Sequence, residues 1–411
     1  MNRALTLAVI SILMLVIDYY IYHASRSVRK DWTQRNQRIF GWLWWGWTAL
    51  LLAGVFGSIL LNARLTVRSV LLVAFFITFV SKLVYIPFLF LDEIRRFFIW
   101  IFRKIRPEPV KVKGDPITRS EFLVKAGIAV AAIPLSSLSW GIVSGGYDYQ
   151  LVRRKLYLRN LPAAFDGMKL AQISDVHSGS FYNKKAVLGG IQMLLGEKPD
   201  MIFFTGDLVN NVASEMKDYQ DLFSRLKAPL GVYSSLGNHD YGEYHFGREP
   251  SAAKAKNLQD LIATHKIMGW DLLMNENRRI RVDGEEIAVL GVENWGTRFI
   301  KYGKMDLAVK DTDDVPVKLL LSHDPSHWRA QVIREYPQVD AMFSGHTHGM
   351  QFGVKTEEFQ WSPVQYVYDE WAGLYKEKDQ QLYVNVGYGF LGYPGRVGIL
   401  PEITIFELKQ G

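Results

Sequence analysis

Along its first third the chain stays apolar on every side of the helical period; beyond that it breaks into short apolar runs, each closed by a polar cluster. Four early stretches reach the ~20 residues that a bilayer crossing takes: 4–22, 39–61, 70–91 and 122–143. A buried soluble helix rarely stays apolar on all faces for so long, so the pattern predicts four membrane helices. The run 97–102 (FFIWIF) is too short to span and reads as an interfacial segment flanked by Arg95, Arg96, Arg103 and Lys104. Asp18 and Lys82 fall inside predicted spans and are expected to snorkel or to satisfy each other between helices. From Met168 onward, 168–174, Met201–Thr205, 231–236, Lys318–Leu321 and Ala341–Ser344 read as strands alternating with helical stretches. The organisation expected is a transmembrane region over 1–145, a linker over 146–167 and an α/β domain over 168–411.

Charge orients this picture. The sequence carries a formal charge of +7, much of it in short basic clusters between the apolar runs. Such clusters mark membrane flanks, and no pattern of a nucleic-acid module accompanies them. Residues 26–38 and 95–119 are strongly basic, and the positive-inside rule assigns both to the cytoplasm. Four spans then place the C-terminal domain on the extracytoplasmic face of the membrane. The cluster Arg153-Arg154-Lys155 runs against this orientation. The segment 118–123 resembles a twin-arginine export signal with Ser120 in place of the second arginine, and no small-residue cleavage site follows. The fourth span is therefore expected to be an uncleaved anchor.

The chain has no cysteine, so disulfides and thiolate metal sites are excluded. Any metal chemistry must use His, Asp, Glu and Asn. The strand ends supply such residues: Asp175 and His177, Gly206-Asp207, Gly237-Asn238-His239-Asp240, His323-Asp324, and Gly345-His346-Thr347-His348. Polar clusters just past the C-terminal ends of strands are where α/β sheets build sites. Asp175 and His177 alternate on an extended segment and can reach one ion; Asp207 has two carboxylate oxygens and can bridge two. Asn238 offers an amide oxygen, and His323, His346 and His348 offer imidazoles. Ligands of this hardness suit two divalent ions, Mn, Fe or Zn. Two carboxylates against two such ions leave surplus positive charge that attracts phosphate and acidifies a bridging water. His239, next to a metal-directed Asn, is free to protonate a leaving group, with Asp240 expected to orient its ring.

These five blocks, in this order, resemble the calcineurin-like metallophosphoesterase superfamily, over about residues 169–408. The run from Gly345 to Gln351, Gly373-Leu374-Tyr375 and the terminal Leu400-Pro401-Glu402-Ile403 resemble its bacterial transmembrane branch, which includes enzymes resembling UDP-diacylglucosamine hydrolases. The resemblance implies a four-layer α+β sandwich of two packed mixed sheets flanked by helices. It also implies hydrolysis of a phosphomonoester, phosphodiester or pyrophosphate. Met350 departs from the Gly common in this branch and is expected to matter little. A lone histidine at a strand end is usually a satisfied polar residue. Five of the nine histidines in signature positions reverse that reading. His245, His265 and His327 are expected to be surface or structural, and His23 belongs to a membrane flank. Phe359, Trp361, Tyr366, Tyr368 and Trp371 cap either an acyl or nucleobase group or merely a sheet edge. Arg396 reads first as a surface arginine, with a substrate phosphate as the sharper alternative. The expected substrate is a phosphorylated small molecule or lipid. The competing function is a catalytically silent fold used as a membrane-tethered scaffold, whose relatives are expected to lose ligands; here all are present.

Overall fold

The computed structural model describes residues 3–60, 65–105, 119–356 and 358–411. It divides into two compact units, Met1–Trp140 and Gly141–Gly411.

The first unit is helical. α1 spans Arg3–Ala24, α2 Gln34–Leu60, α3 Leu65–Ile105 and α4 Arg119–Val143. Within them, Ala8–Arg29, Gln34–Ser58, Val70–Phe102 and Glu121–Val143 are long and apolar enough to cross a membrane. The expected separate segment at 97–102 is corrected: it continues α3, because nothing from Val70 to Arg103 breaks the helix except Pro87, which α3 absorbs. Asp18 is fully buried; it forms an ion pair with Lys82 and accepts a hydrogen bond from Thr48 Oγ1 at 2.8 Å. Two charges that cost several kcal/mol each to strand in hydrocarbon thus meet between helices.

The second unit is a sandwich of two six-stranded sheets. The first sheet runs β1 (Gln150–Leu158), β14 (Glu402–Gln410), β2 (Lys169–Ile173), β3 (Met201–Thr205), β4 (Val232–Ser235) and β5 (Asp271–Leu272). From β2 to β5 all pairings are parallel. The second runs β12 (Gly373–Glu377), β13 (Gln380–Val384), β9 (Ala341–Ser344), β8 (Lys318–Leu321), β7 (Glu285–Gly291) and β6 (Glu276–Val282), parallel from β13 to β7. Alternate residues face opposite layers. Leu170, Phe203, Leu319, Leu321 and Phe343 share the core between the sheets. Ala171, Ile173, Ile202 and Phe204 face the helical layer of the first sheet, with Leu320 and Met342 doing the same on the second. Both faces of these strands are covered, which is why β3 and β8 carry continuous apolar runs at 201–204 and 319–321.

The expected linker at 146–167 is corrected. Nine of its residues form β1, paired in parallel with β14 along its whole length. Leu156 and Leu158 are buried in the inter-sheet core. A strand pairing with a segment some 250 residues away leaves no local trace beyond alternation.

Candidate metal centre

The parallel strands β2, β3, β4, β8 and β9 end at one rim of the sandwich, and the loops that follow them carry the polar clusters. Backbone bonds lace those loops together: Asp175 N–H donates to Gly206 O at 2.9 Å and His177 N–H to Asp207 O at 3.1 Å. Buried Gln172 joins the two sheets just beneath, donating to Thr205 Oγ1 and Ser344 O.

Two groups of potential ligands result: Asp175, His177 and His348, and Asp207, His323 and His346. In each group the ligand atoms all lie within 4.8 Å of one another. His177 Nε2 and His348 Nε2 are 3.0 Å apart, and His348 Nε2 is 3.2 Å from Asp175 Oδ1. Asp207 Oδ2 lies 3.1 Å from His323 Nε2 and 3.6 Å from His177 Nε2, so one carboxylate oxygen faces both groups. Asn238 is buried beside them and donates through Nδ2 to Tyr244 at 3.2 Å; its Oδ1 is buried with no hydrogen-bond partner. Acceptor atoms crowded together beside an orphaned amide oxygen are what a cation satisfies. The residues present fit divalent ions.

The backbone is bent to make this possible. Asp175, His177, Asp207, His346 and His348 all adopt positive φ, between 47° and 72°. Each such residue costs about 1–3 kcal/mol, and strain of this kind gathers at functional sites. Gly345 shows why bulk is excluded here: a Cβ at that position would lie 1.9 Å from Ser174 Oγ and 2.1 Å from Asp175 Oδ2. Met350 also has positive φ (51°), in the turn His348–Gln351. The expectation that this departure matters little overlooked its backbone, since glycine is the residue without strain there.

Electrostatics separate the imidazoles. Burial holds His177 and His346 below the usual histidine pKa, which keeps them neutral and ready to ligate. Burial would lower His323 as well, but the Asp207 carboxylate outweighs it and pushes His323 up to about 10. Burial would raise Asp207, yet His323, His239 and His177 hold it well below the carboxylate range. His323 Nδ1 donates to Thr205 O at 2.7 Å, leaving Nε2 for Asp207 or a metal.

His239 is only partly buried, as is His346, whereas His177, His323 and His348 are buried. Its Nδ1 donates to Asn210 O at 2.7 Å, and its ring stacks on Tyr244 at 4.4 Å. Asp240 does not touch that ring, so its expected orienting role is corrected. Its carboxylate accepts backbone N–H groups from Asp207, Leu208, Val209 and Gly237. Burial and then the Asp207 charge push Asp240 up to about 7, with the backbone donors opposing. Asn210, a carbonyl contact with no side-chain signal, holds the histidine instead.

Two further expectations change. Arg396 is 1% exposed and donates to the carbonyls of Val386, Gly387 and Gly389; its Nη2 lies 3.3 Å from His348 Nδ1. It braces the loop behind His348 rather than reaching a surface or a substrate. Trp371 is packed into a cluster with Val364, Ala372, Val386 and Ile399, and its carbonyl accepts from Thr347 Oγ1 at 2.6 Å. Of the aromatic insert, it is Tyr368 that reaches the centre, with its hydroxyl 2.8 Å from His346 Nε2. His265 and His327 are buried and structural: the first bonds Ser234, the second Ser322 and Gln331.

Residues 168–350 match the family model described as "Calcineurin-like phosphoesterase", and residues 2–146 match "Probable Calcineurin-like phosphoesterase, transmembrane domain". The chain therefore belongs to the membrane-associated calcineurin-like metallophosphoesterases, a family that uses divalent metal ions. It is 26% identical over 281 residues to "Transmembrane protein with metallophosphoesterase domain" from Danio rerio, covering 66% of this chain and 60% of that one. It is 28% identical to "Uncharacterized metallophosphoesterase YkuE" from Bacillus subtilis, covering 72% and 98%. With "Phosphodiesterase YaeI" from Escherichia coli it shares 26% identity, covering 63% and 88%.

Proposed function

We propose that this protein hydrolyses phosphoric esters at a centre for two divalent ions. Asp175, His177 and His348 would hold one ion, Asn238, His323 and His346 the other, and Asp207 would serve both. The observation that carries this reading is Asp207 Oδ2 facing both ligand groups, beside the orphaned Asn238 Oδ1. When bound, the ions supply Lewis-acid charge to the phosphoryl group and acidify water. His239, held by Asn210 and stacked on Tyr244, stands where it can protonate the departing oxygen. The metals best suited are Mn, Fe or Zn, from the N/O donor set. The name of the E. coli relative favours a diester. The helical unit favours a lipid-linked substrate, including the nucleotide-linked glycolipid that the sequence resemblance implies, because anchoring raises the local concentration of such molecules.

The test uses purified full-length protein loaded with Mn and assayed on bis-p-nitrophenyl phosphate. Elemental analysis should return about two transition-metal ions per chain. His239→Ala should lower turnover by about 10²–10⁴-fold with both ions retained. Metal loss in that variant would overturn the division of roles, and an inactive, metal-free wild type would overturn the function itself.

We also propose that the metal centre faces away from the cytoplasm of a bacterial inner membrane, from the basic segments 26–38 and 95–119. With no native cysteine, one cysteine at Lys217 should react with an impermeant maleimide in intact spheroplasts. Labelling only after lysis would reverse the orientation.

A further inference from the structure

The basic stretch 26–38, which runs from the turn after α1 into the first residues of α2, contains arginines that are not equivalent. Arg29 is buried: it donates to Tyr22 O at 2.8 Å and lies over the Tyr22 and Phe40 rings at 4.6 and 4.3 Å. Its charge is spent on holding the turn. Arg38 is exposed and, among the described residues, has no ion-pair or hydrogen-bond partner. It lines a cavity of about 580 Å³ together with Gln34, Gln37, Tyr22, Trp42 and Trp45. The helices can close on this cavity without filling it because Gly41 forms part of its wall; a Cβ there would lie 3.0 Å from the Tyr22 hydroxyl. Gln37 Nε2 donates to the carbonyls of Arg29 and Trp32, which fixes the mouth.

The cavity combines one free guanidinium, amides and tryptophans, and it opens where the apolar span Gln34–Ser58 begins. Trp42 is 81% exposed beside it, an amphipathic ring at the level where membrane proteins carry their aromatic belts. Guanidinium recognises phosphate through paired N–H donors, and aromatic and apolar walls accept the glycerol and upper acyl segments. Residues 26–38 carry five basic side chains, Arg38 included, against one acid, Asp31, and this net positive charge near the mouth favours an anionic occupant over a zwitterionic or cationic one. We propose that this cavity binds the headgroup of one anionic phospholipid, with Arg38 on the phosphate. The site lies wholly in the helical unit and does not depend on the metal centre.

The test is native mass spectrometry of the full-length protein released from vesicles of equal phosphatidylglycerol and phosphatidylcholine. Wild type should retain one phosphatidylglycerol per chain in preference to phosphatidylcholine. Arg35→Ala removes the same charge on the same helix, outside the cavity, and should weaken retention about five-fold, the general attraction of one arginine to an anionic surface. Arg38→Ala should weaken it about tenfold further, through the lost charged hydrogen bonds. Gly41→Leu leaves the charge unchanged, narrows the cavity at the wall shared with Tyr22 and should also abolish selective retention. Equal losses for Arg35→Ala and Arg38→Ala would reduce the effect to surface electrostatics and overturn the site. Retention of phosphatidylcholine as well as phosphatidylglycerol by wild type, or undiminished retention in Gly41→Leu, would overturn it too.

Discussion

Replacing Asp240 by Asn keeps the size of the side chain and changes what it can accept. In the native protein Oδ2 accepts from Asp207 N and Gly237 N, each at 2.9 Å, and Oδ1 accepts from Leu208 N at 2.9 Å and Val209 N at 3.3 Å. An amide retains one oxygen, so two of the four bonds are lost whichever way it is placed, and two buried N–H groups then face an NH2. Hydrogen bonds to a charged group contribute about 1.5–3 kcal/mol each, giving about 3–6 kcal/mol for two. The substitution also removes the repulsion from Asp207 that, after burial, pushes Asp240 up to about 7, so the net loss falls near the lower end, about 3 kcal/mol. That is a large share of the ~5–15 kcal/mol that holds a domain together. The strain falls on the Asp207 backbone, which positions the shared carboxylate. Urea denaturation of the full-length protein in detergent, followed by tryptophan fluorescence, should show the loss. Elemental analysis should show depleted metal. A variant with native stability and full metal content, impaired only in turnover, would refute this reasoning and restore Asp240 to the role of orienting His239.

Other outcomes follow from the same geometry. Tyr368→Phe removes the hydroxyl 2.8 Å from His346 Nε2; affinity for one of the two ions should fall by about 10–100-fold, read by calorimetric metal titration, and two unchanged affinities would contradict it. Burial pushes His265 down to about 3 and His327 down to about 4. Both fold as neutral groups, whereas the unfolded chain protonates them near pH ~6.5. Their contribution is therefore fully present above that pH and lost as pH falls toward 4 and then 3. The slope reaches about 2.7 kcal/mol per pH unit for two protons taken up on unfolding. Denaturation midpoints at pH 7, 6 and 5 should fall accordingly, and His327→Gln should flatten the slope by one proton; an identical slope would argue against the assignment.

What the sequence determined is whatever is written locally. Apolar runs of the right length mark the four helices that, among the described residues, are long and apolar enough to cross a membrane. Short apolar runs such as 201–204 mark strands covered on both faces. The proposed ligands Asp175, His177, Asp207, Asn238, His323, His346 and His348 could be named as candidates because each follows a strand end and metal coordination admits few residue types. Non-local partners were not legible. Nothing around 150–158 announces its pairing with 402–410. Arg396 is a buried brace because its donors meet the carbonyls of the 386–389 loop, and the same Gly-Arg-Val-Gly sequence would suit an exposed loop. Asp240 serves four backbone amides and His239 a backbone carbonyl, contacts that carry no side-chain code. The contrast between Arg29 and Arg38, both in one basic stretch, appears only once the rings of Tyr22 and Phe40 are in place. Side-chain chemistry decides what a residue can bind, and that is readable in one dimension. What it does bind depends on which segments the fold brings within about 3 Å of it, and only the tertiary structure fixes that.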